Sequence, residues 1–185
     1  ASALDANTTA DNNTAVGTSA LGANTTGYDN VAVGRNALDA NVGGHSNTSV
    51  GESSLTSNTS GIRNVAVGQN ALAINSTGGS NVAVGRGALD ANTTASNNTA
   101  VGDLAATALT TGAANVAIGT NALAASTTGA RNTIVGVDSS NQITSGADNT
   151  AMGYDSLTRC TTGGSNVAIG KDAGDNITSG SANTC

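Results

Sequence analysis

Few side chains in this sequence could do chemistry, and their types restrict what that chemistry could be. His45 is the only histidine in 185 residues, which supports neither a histidine-rich metal cluster nor a Ser–His–Asp triad. We expect it to be a solvated loop residue. Asp138, Asp155 and Asp172 follow one another at a constant interval. If these aspartates stacked, their charges would repel and a cation could bind there, but we favour a solvated acidic strip over a metal site.

The interval between these aspartates belongs to a repeat that runs through the whole chain. A pentad of Asn, Thr or Val, a mostly small residue, an apolar residue and Gly recurs without insertion or deletion, and such a period decides the architecture. We number each repeat from its Asn and call the residues that share a position a column. Residues 1–185 therefore form a single repeat array. The repeats start at Asn13, Asn30, Asn47, Asn64, Asn81, Asn98, Asn115, Asn132, Asn149, Asn166 and Asn183.

The columns differ in composition. Position 1 is always Asn, and position 5 is Gly in all ten complete pentads. Position 9 is mostly Leu, position 13 mostly Thr and position 15 mostly Gly. Because Gly permits positive φ, we expect both glycine columns to mark corners of the chain. Stacked Asn side chains can form amide ladders, and Asn also tolerates turn conformations.

These units are too short for a pair of helices, since helical repeats need about 33 residues or more. The pentad is rich in β-branched residues and ends at Gly, which indicates a short strand followed by a turn. We therefore predict an all-β fold, a parallel β-solenoid of about eleven 17-residue coils, assembled as a homotrimer. Coils spaced by about 4.8 Å would give a rod on the order of 50 Å long.

Strand alternation also predicts self-association. Positions 2 and 4 point to one face of the strand and position 3 to the other. Position 3 is Ala in eight coils and is never charged. We expect Val and Leu to fill a narrow lumen and the Ala column to lie against a neighbouring chain. The predicted partner is therefore another copy of the chain, in a homotrimer or a filament.

Composition excludes other partners. The net charge of −6 argues against nucleic acid, whose phosphates bind clustered Lys and Arg. No run of about 18 apolar residues occurs, so we expect no membrane insertion. Cys160 and Cys185 lie two coils apart, roughly 10 Å along the axis, beyond the reach of a disulfide, and we expect both to be small buried residues. We assign no catalytic residue, cofactor or metal, and predict that the protein is not an enzyme.

The pentads resemble a known family. Residues 64–68, 81–85 and 115–119 read Asn-Val-Ala-Val-Gly, Asn-Val-Ala-Val-Gly and Asn-Val-Ala-Ile-Gly. They resemble the head repeats of trimeric autotransporter adhesins, and the unit with Ala-Leu and Asn-Thr-Thr-Gly is similar to repeats of bacteriophage tail fibres. The resemblance covers the whole chain and implies a left-handed parallel β-roll with three chains around one axis. The repeat here is longer than that of the adhesin heads, which adds residues to a turn or a third side.

These features predict an extracellular structural or adhesive fibre segment on a virion or cell surface, which spaces or presents a host-binding tip. Contacts with a host glycan or protein receptor would use the variable positions 6, 7, 10, 16 and 17. A subunit that polymerises head to tail is an alternative, because both ends cut through a coil without a capping segment. An ice-binding solenoid is another, based on the Thr ladders. Against it, positions 13 and 14 are adjacent, so we expect their side chains to point to opposite faces.

Overall fold

The protein is a parallel β-solenoid with a 17-residue coil, as the sequence predicts. A computed structural model describes residues 2–185, which contain no helix; Ala1 lies outside them. Ten three-residue strands at positions 2 to 4 form one parallel sheet in sequence order, each residue facing its equivalent one coil away. The strands are β1 (Thr14–Val16), β2 (Val31–Val33), β3 (Thr48–Val50), β4 (Val65–Val67), β5 (Val82–Val84), β6 (Thr99–Val101), β7 (Val116–Ile118), β8 (Thr133–Val135), β9 (Thr150–Met152) and β10 (Val167–Ile169).

The number of coils is smaller than predicted from the sequence. Ten successive strands define nine full turns of the solenoid, whereas we expected about eleven coils. Beyond β10 only an isolated bridge between Val167 and Thr184 continues the sheet. Residues 2–13 contribute no strand.

The side of the strand that lies in the core is not the one that we predicted, since we expected the Val side chains to fill the lumen. In β2 to β10 the position 3 residues are at most 1% exposed and lie in the core. Positions 2 and 4 face outwards and are half-buried or exposed, up to 60% for Ile169. The prediction that the Ala column lies against a neighbouring chain was therefore wrong. The lumen also holds Ala or Ser of position 8, and in the coils where position 9 is Leu the residue at position 3 is Ala or Ser.

Two columns of buried Asn hold the coils together. From Asn30 to Asn183, the backbone N–H of each position 1 Asn donates to the side-chain oxygen of the Asn one coil earlier, at 2.9–3.0 Å. A second amide ladder joins position 12 from Asn7 to Asn92. The two columns share an acceptor, because the Gly44 carbonyl at position 15 receives the amides of Asn30 and Asn41 at 2.9 and 3.0 Å. The predicted Asn ladder is confirmed.

Glycine is favoured for different reasons at positions 5 and 15. Position 5 has φ between 124° and 146°, a corner conformation that requires Gly, as predicted. Position 15 is mostly Gly because space is short there, and Ala10 and Ala95 are the two exceptions. A Cβ on Gly27 would lie 2.5 Å from the side-chain oxygen of Asn24 and 2.6 Å from the amide nitrogen of Asn41. The other corners fall at positions 7, 9 and 17, where every residue from Leu4 onwards has positive φ and none is β-branched.

Core volume is conserved between positions 9 and 12 of the same coil. Six coils combine Leu at position 9 with Asn at position 12, as in Leu89 and Asn92. Further along, a small residue at position 9 accompanies a large one at position 12, as in Ala106 and Leu109. This exchange ends the second Asn ladder, so the buried side-chain oxygens of Asn92 and Ser126 are left without hydrogen-bond partners.

Exchanging the two side chains tests this compensation. The double variant Ala106→Leu/Leu109→Asn restores the Leu–Asn pair, and the new amide can pair with both orphaned oxygens. Ala106→Leu alone should destabilise the fold by about 1–3 kcal/mol because it overpacks the core. The double variant should be more stable than either single variant, with a coupling of about 2 kcal/mol or more in denaturant unfolding at fixed protein concentration. Additive effects would contradict the pairing.

The position 5 corner gives a second prediction. Gly102 has φ of 138°, and a Cβ there would lie 2.5 Å from the Gly119 carbonyl oxygen. Gly102→Ala should therefore lower the free energy of unfolding by about 2 kcal/mol or more. The control is Gly22→Ala at position 10, where Ala occurs naturally at Ala73 and the nearest group is the flexible Asp39 side chain. Its expected change is within about 0.5 kcal/mol, and equal losses in both variants would refute the explanation.

Candidate functional site

The ten strands present one continuous outward surface, which we call the strand face and define as positions 2 and 4 of β1 to β10. Position 2 is Thr or Val in every strand, and position 4 is Val except for Ile118, Met152 and Ile169. None of these side chains is charged. The face is about 45 Å long and about 10 Å wide by strand geometry, the size of the largest apolar patch on a typical monomer, which is often functional.

Charged side chains border the strand face and pair along the rod. Arg35 pairs with Glu52, and Arg86 with Asp103 at 2.8 Å, in both cases one coil apart in column 6. In column 17, Arg131 makes two hydrogen bonds to Asp148, at 2.6 and 2.9 Å, which lower the pKa of that carboxyl. The recurrence of opposite charges one repeat apart in the sequence was the signal for these pairs.

A second surface, which we call the hydroxyl face, consists of columns 13 and 14. Its members are Thr or Ser except for Val42 and Gly43. The chain bends here instead of forming a strand, so both columns are exposed or half-buried, and column 14 is exposed in every coil from Ser60 to Ser179. The expectation that these two columns point to opposite faces was therefore wrong, because strand alternation does not apply at a bend.

Backbone carbonyls fix the hydroxyls of column 13. The Thr127 carbonyl oxygen accepts from the Thr110 N–H at 2.9 Å, the Thr111 N–H at 3.3 Å and the Thr110 hydroxyl at 2.9 Å. The same hydroxyl-to-carbonyl bond recurs at Thr25, Thr59, Ser76, Thr93, Thr127, Thr144 and Thr161. Each of these hydroxyls is thus held in one orientation.

The three aspartates of column 7 are accounted for by backbone conformation and local partners. Each has φ between 52° and 58°, a conformation that Asp adopts more readily than most residues. Asp138 accepts a hydrogen bond from Asn121 at 2.9 Å, Asp172 pairs with Lys171 at 2.5 Å, and the Asp155 charge raises the pKa of Tyr154. In residues 2–185, no group of three or more His, Cys, Asp or Glu side chains is placed to hold a metal ion.

His45 and the cysteines lie apart from one another. His45 is half-buried in a loop, where its ring stacks on Tyr28 with centroids 4.5 Å apart; both residues belong to column 16. Cys160 is buried in column 12, and burial raises the pKa of its thiol. Cys185 is exposed, so the prediction that it is buried was wrong. Both thiols are free.

No pocket opens in the part of the chain that the structure describes, and none of its segments is a helix that could span a bilayer. Comparison of the sequence and structure with family models, curated proteins and solved structures gives no match.

The two thiols report on the integrity of the solenoid. In the native protein, maleimide should modify exposed Cys185 and react with buried Cys160 at least about a hundredfold more slowly, because that thiol reacts only after local opening. A Cys185→Ser variant isolates the slow reaction, and denaturant should abolish the difference. Equal rates in the native chain would contradict the burial of column 12.

Proposed function

We propose that this chain is a structural segment of an extracellular fibre on a virion or cell surface, a rigid rod that associates with copies of itself and spaces or presents a host-binding tip. The observation that carries the proposal is the strand face. Its twenty positions at 2 and 4 of ten strands contain no charge. A surface that faced only water along its whole length would be expected to carry Lys or Glu at some of these positions.

A second copy of the chain is the partner that best fits this face. Its side chains recur at the spacing of the coils, about 4.8 Å. Another copy repeats at the same spacing, so methyl groups of the two chains interdigitate along the full length without loss of register. The charge pairs of columns 6 and 17 then form a polar rim around an apolar strip, the usual arrangement of a protein interface.

Three copies around one axis is the assembly that we propose, in keeping with the resemblance to trimeric adhesin heads. Positions 6, 7, 10, 16 and 17 vary between coils and would carry contacts to a host glycan or protein receptor. Exposed side chains there include Tyr28 and Tyr154.

Sedimentation equilibrium of matched variants tests the assembly. Ile118 lies on the strand face and is 39% exposed, whereas Ile74 lies off it at position 11 and is 47% exposed. The wild-type chain should sediment at three times its 17.6 kDa mass. Ile118→Lys should weaken association at least tenfold, about 1.4 kcal/mol, by burying a charge, and Ile74→Lys should behave as wild type.

Circular dichroism and Cys160 protection would show that each variant is folded. A wild-type chain that stays monomeric at all concentrations, or two variants that weaken association equally, would refute assembly through the strand face. A dimer or open-ended growth would refute the trimer.

A further inference from the structure

The hydroxyl face combines one column of fixed hydroxyls, column 13, with a neutral surface. From Thr8 to Ser179, columns 13 and 14 contain only Thr and Ser, apart from Val42 and Gly43. No residue in either column is charged. These columns belong to none of the ten strands, so the hydroxyl face is separate from the strand face.

The hydroxyls of column 13 are organised before any partner arrives. From Thr59 to Thr161 each donates its proton to a carbonyl of the next coil, as Thr144 does to Thr161 at 3.1 Å. The oxygen lone pairs remain available to accept from an outside donor, and each Thr methyl group is held in one place. Binding therefore requires little ordering of the column 13 side chains, and the loss of side-chain entropy is a main cost of association.

The chemistry of this face selects its partner. The pattern of hydroxyl and methyl groups recurs about every 4.8 Å for the length of the rod. A complementary surface must be uncharged, rich in hydrogen-bond donors and periodic at nearly the same distance over many repeats. The oxygen lattice of ice has these properties, with a repeat in its basal plane close to the coil spacing. The side-chain hydroxyls can join that lattice while the methyl groups occupy its hollows.

We propose that the hydroxyl face of columns 13 and 14 is an ice-binding surface. This inference does not depend on self-association through the strand face, since the two faces share no residue. A rod that binds ice as a monomer and a rod that binds it as a trimer use the same columns.

Thermal hysteresis and the shape of ice crystals grown in solutions of the full chain test the proposal. Thr128 lies in the middle of column 14, is exposed and makes no side-chain hydrogen bond; Thr120 is an exposed Thr in column 6, off the hydroxyl face. The wild-type chain should shape crystals and show hysteresis. Thr128→Lys should reduce the hysteresis at least twofold, because the longer charged side chain holds neighbouring hydroxyls away from the lattice. Thr120→Lys should leave it unchanged.

Circular dichroism and sedimentation of the same samples separate the two proposals. Folded wild-type chain that neither shapes crystals nor shows hysteresis would overturn the ice-binding proposal whatever its state of assembly. Equal loss of hysteresis in both Lys variants would also overturn it. Retention of the chain on microcrystalline cellulose, lost in Thr128→Lys and without any effect on ice, would assign the face to a polysaccharide and refute ice binding.

Discussion

The buried Asn column at position 1 fixes the height and register of every coil. The side-chain oxygen of each Asn accepts the backbone N–H of the next Asn, and its amide donates to the position 15 carbonyl of its own coil, as Asn30 does to Gly44. One inserted residue would move a donor or an acceptor out of reach and leave buried polar groups unpaired, at about 1–3 kcal/mol each. The column therefore requires every coil to have the same length.

The sequence was sufficient to predict the period, the parallel pairing, the position 5 corners and the Asn ladder, because these follow from the stacking of equivalent residues. It was not sufficient to assign the two strand faces, since Ala and Val are both apolar and lumen volume decides between them. Two coils contained evidence that position 3 faces the lumen. Ser49 hydrogen-bonds with Ser54 across the lumen, and the larger Ile134 occurs where positions 8 and 9 are Ser139 and Ser140.

The candidate surfaces were predicted less well than the fold, because strand alternation alone does not say which side chains face the lumen and which face outwards. Because the side chain at position 3 fills the lumen, the residues at positions 2 and 4 of the strand turn outwards and create the strand face. The bend at positions 13 and 14 turns two hydroxyl columns to solvent, where strand alternation predicted one. The proposed assembly uses the strand face and the proposed ice binding uses the hydroxyl face, and the two faces share no residue.

Hydrogen exchange of the Asn side-chain amides, followed by NMR, tests the column at position 1 directly. The amides of Asn64 and Asn81 each donate to the preceding Asn and to a position 15 carbonyl and are fully buried. Their protons should exchange as slowly as the backbone amides of β4 and β5. Exchange at the rate of the exposed amide of Asn97 would contradict the ladder and, with it, the fixed register of the solenoid.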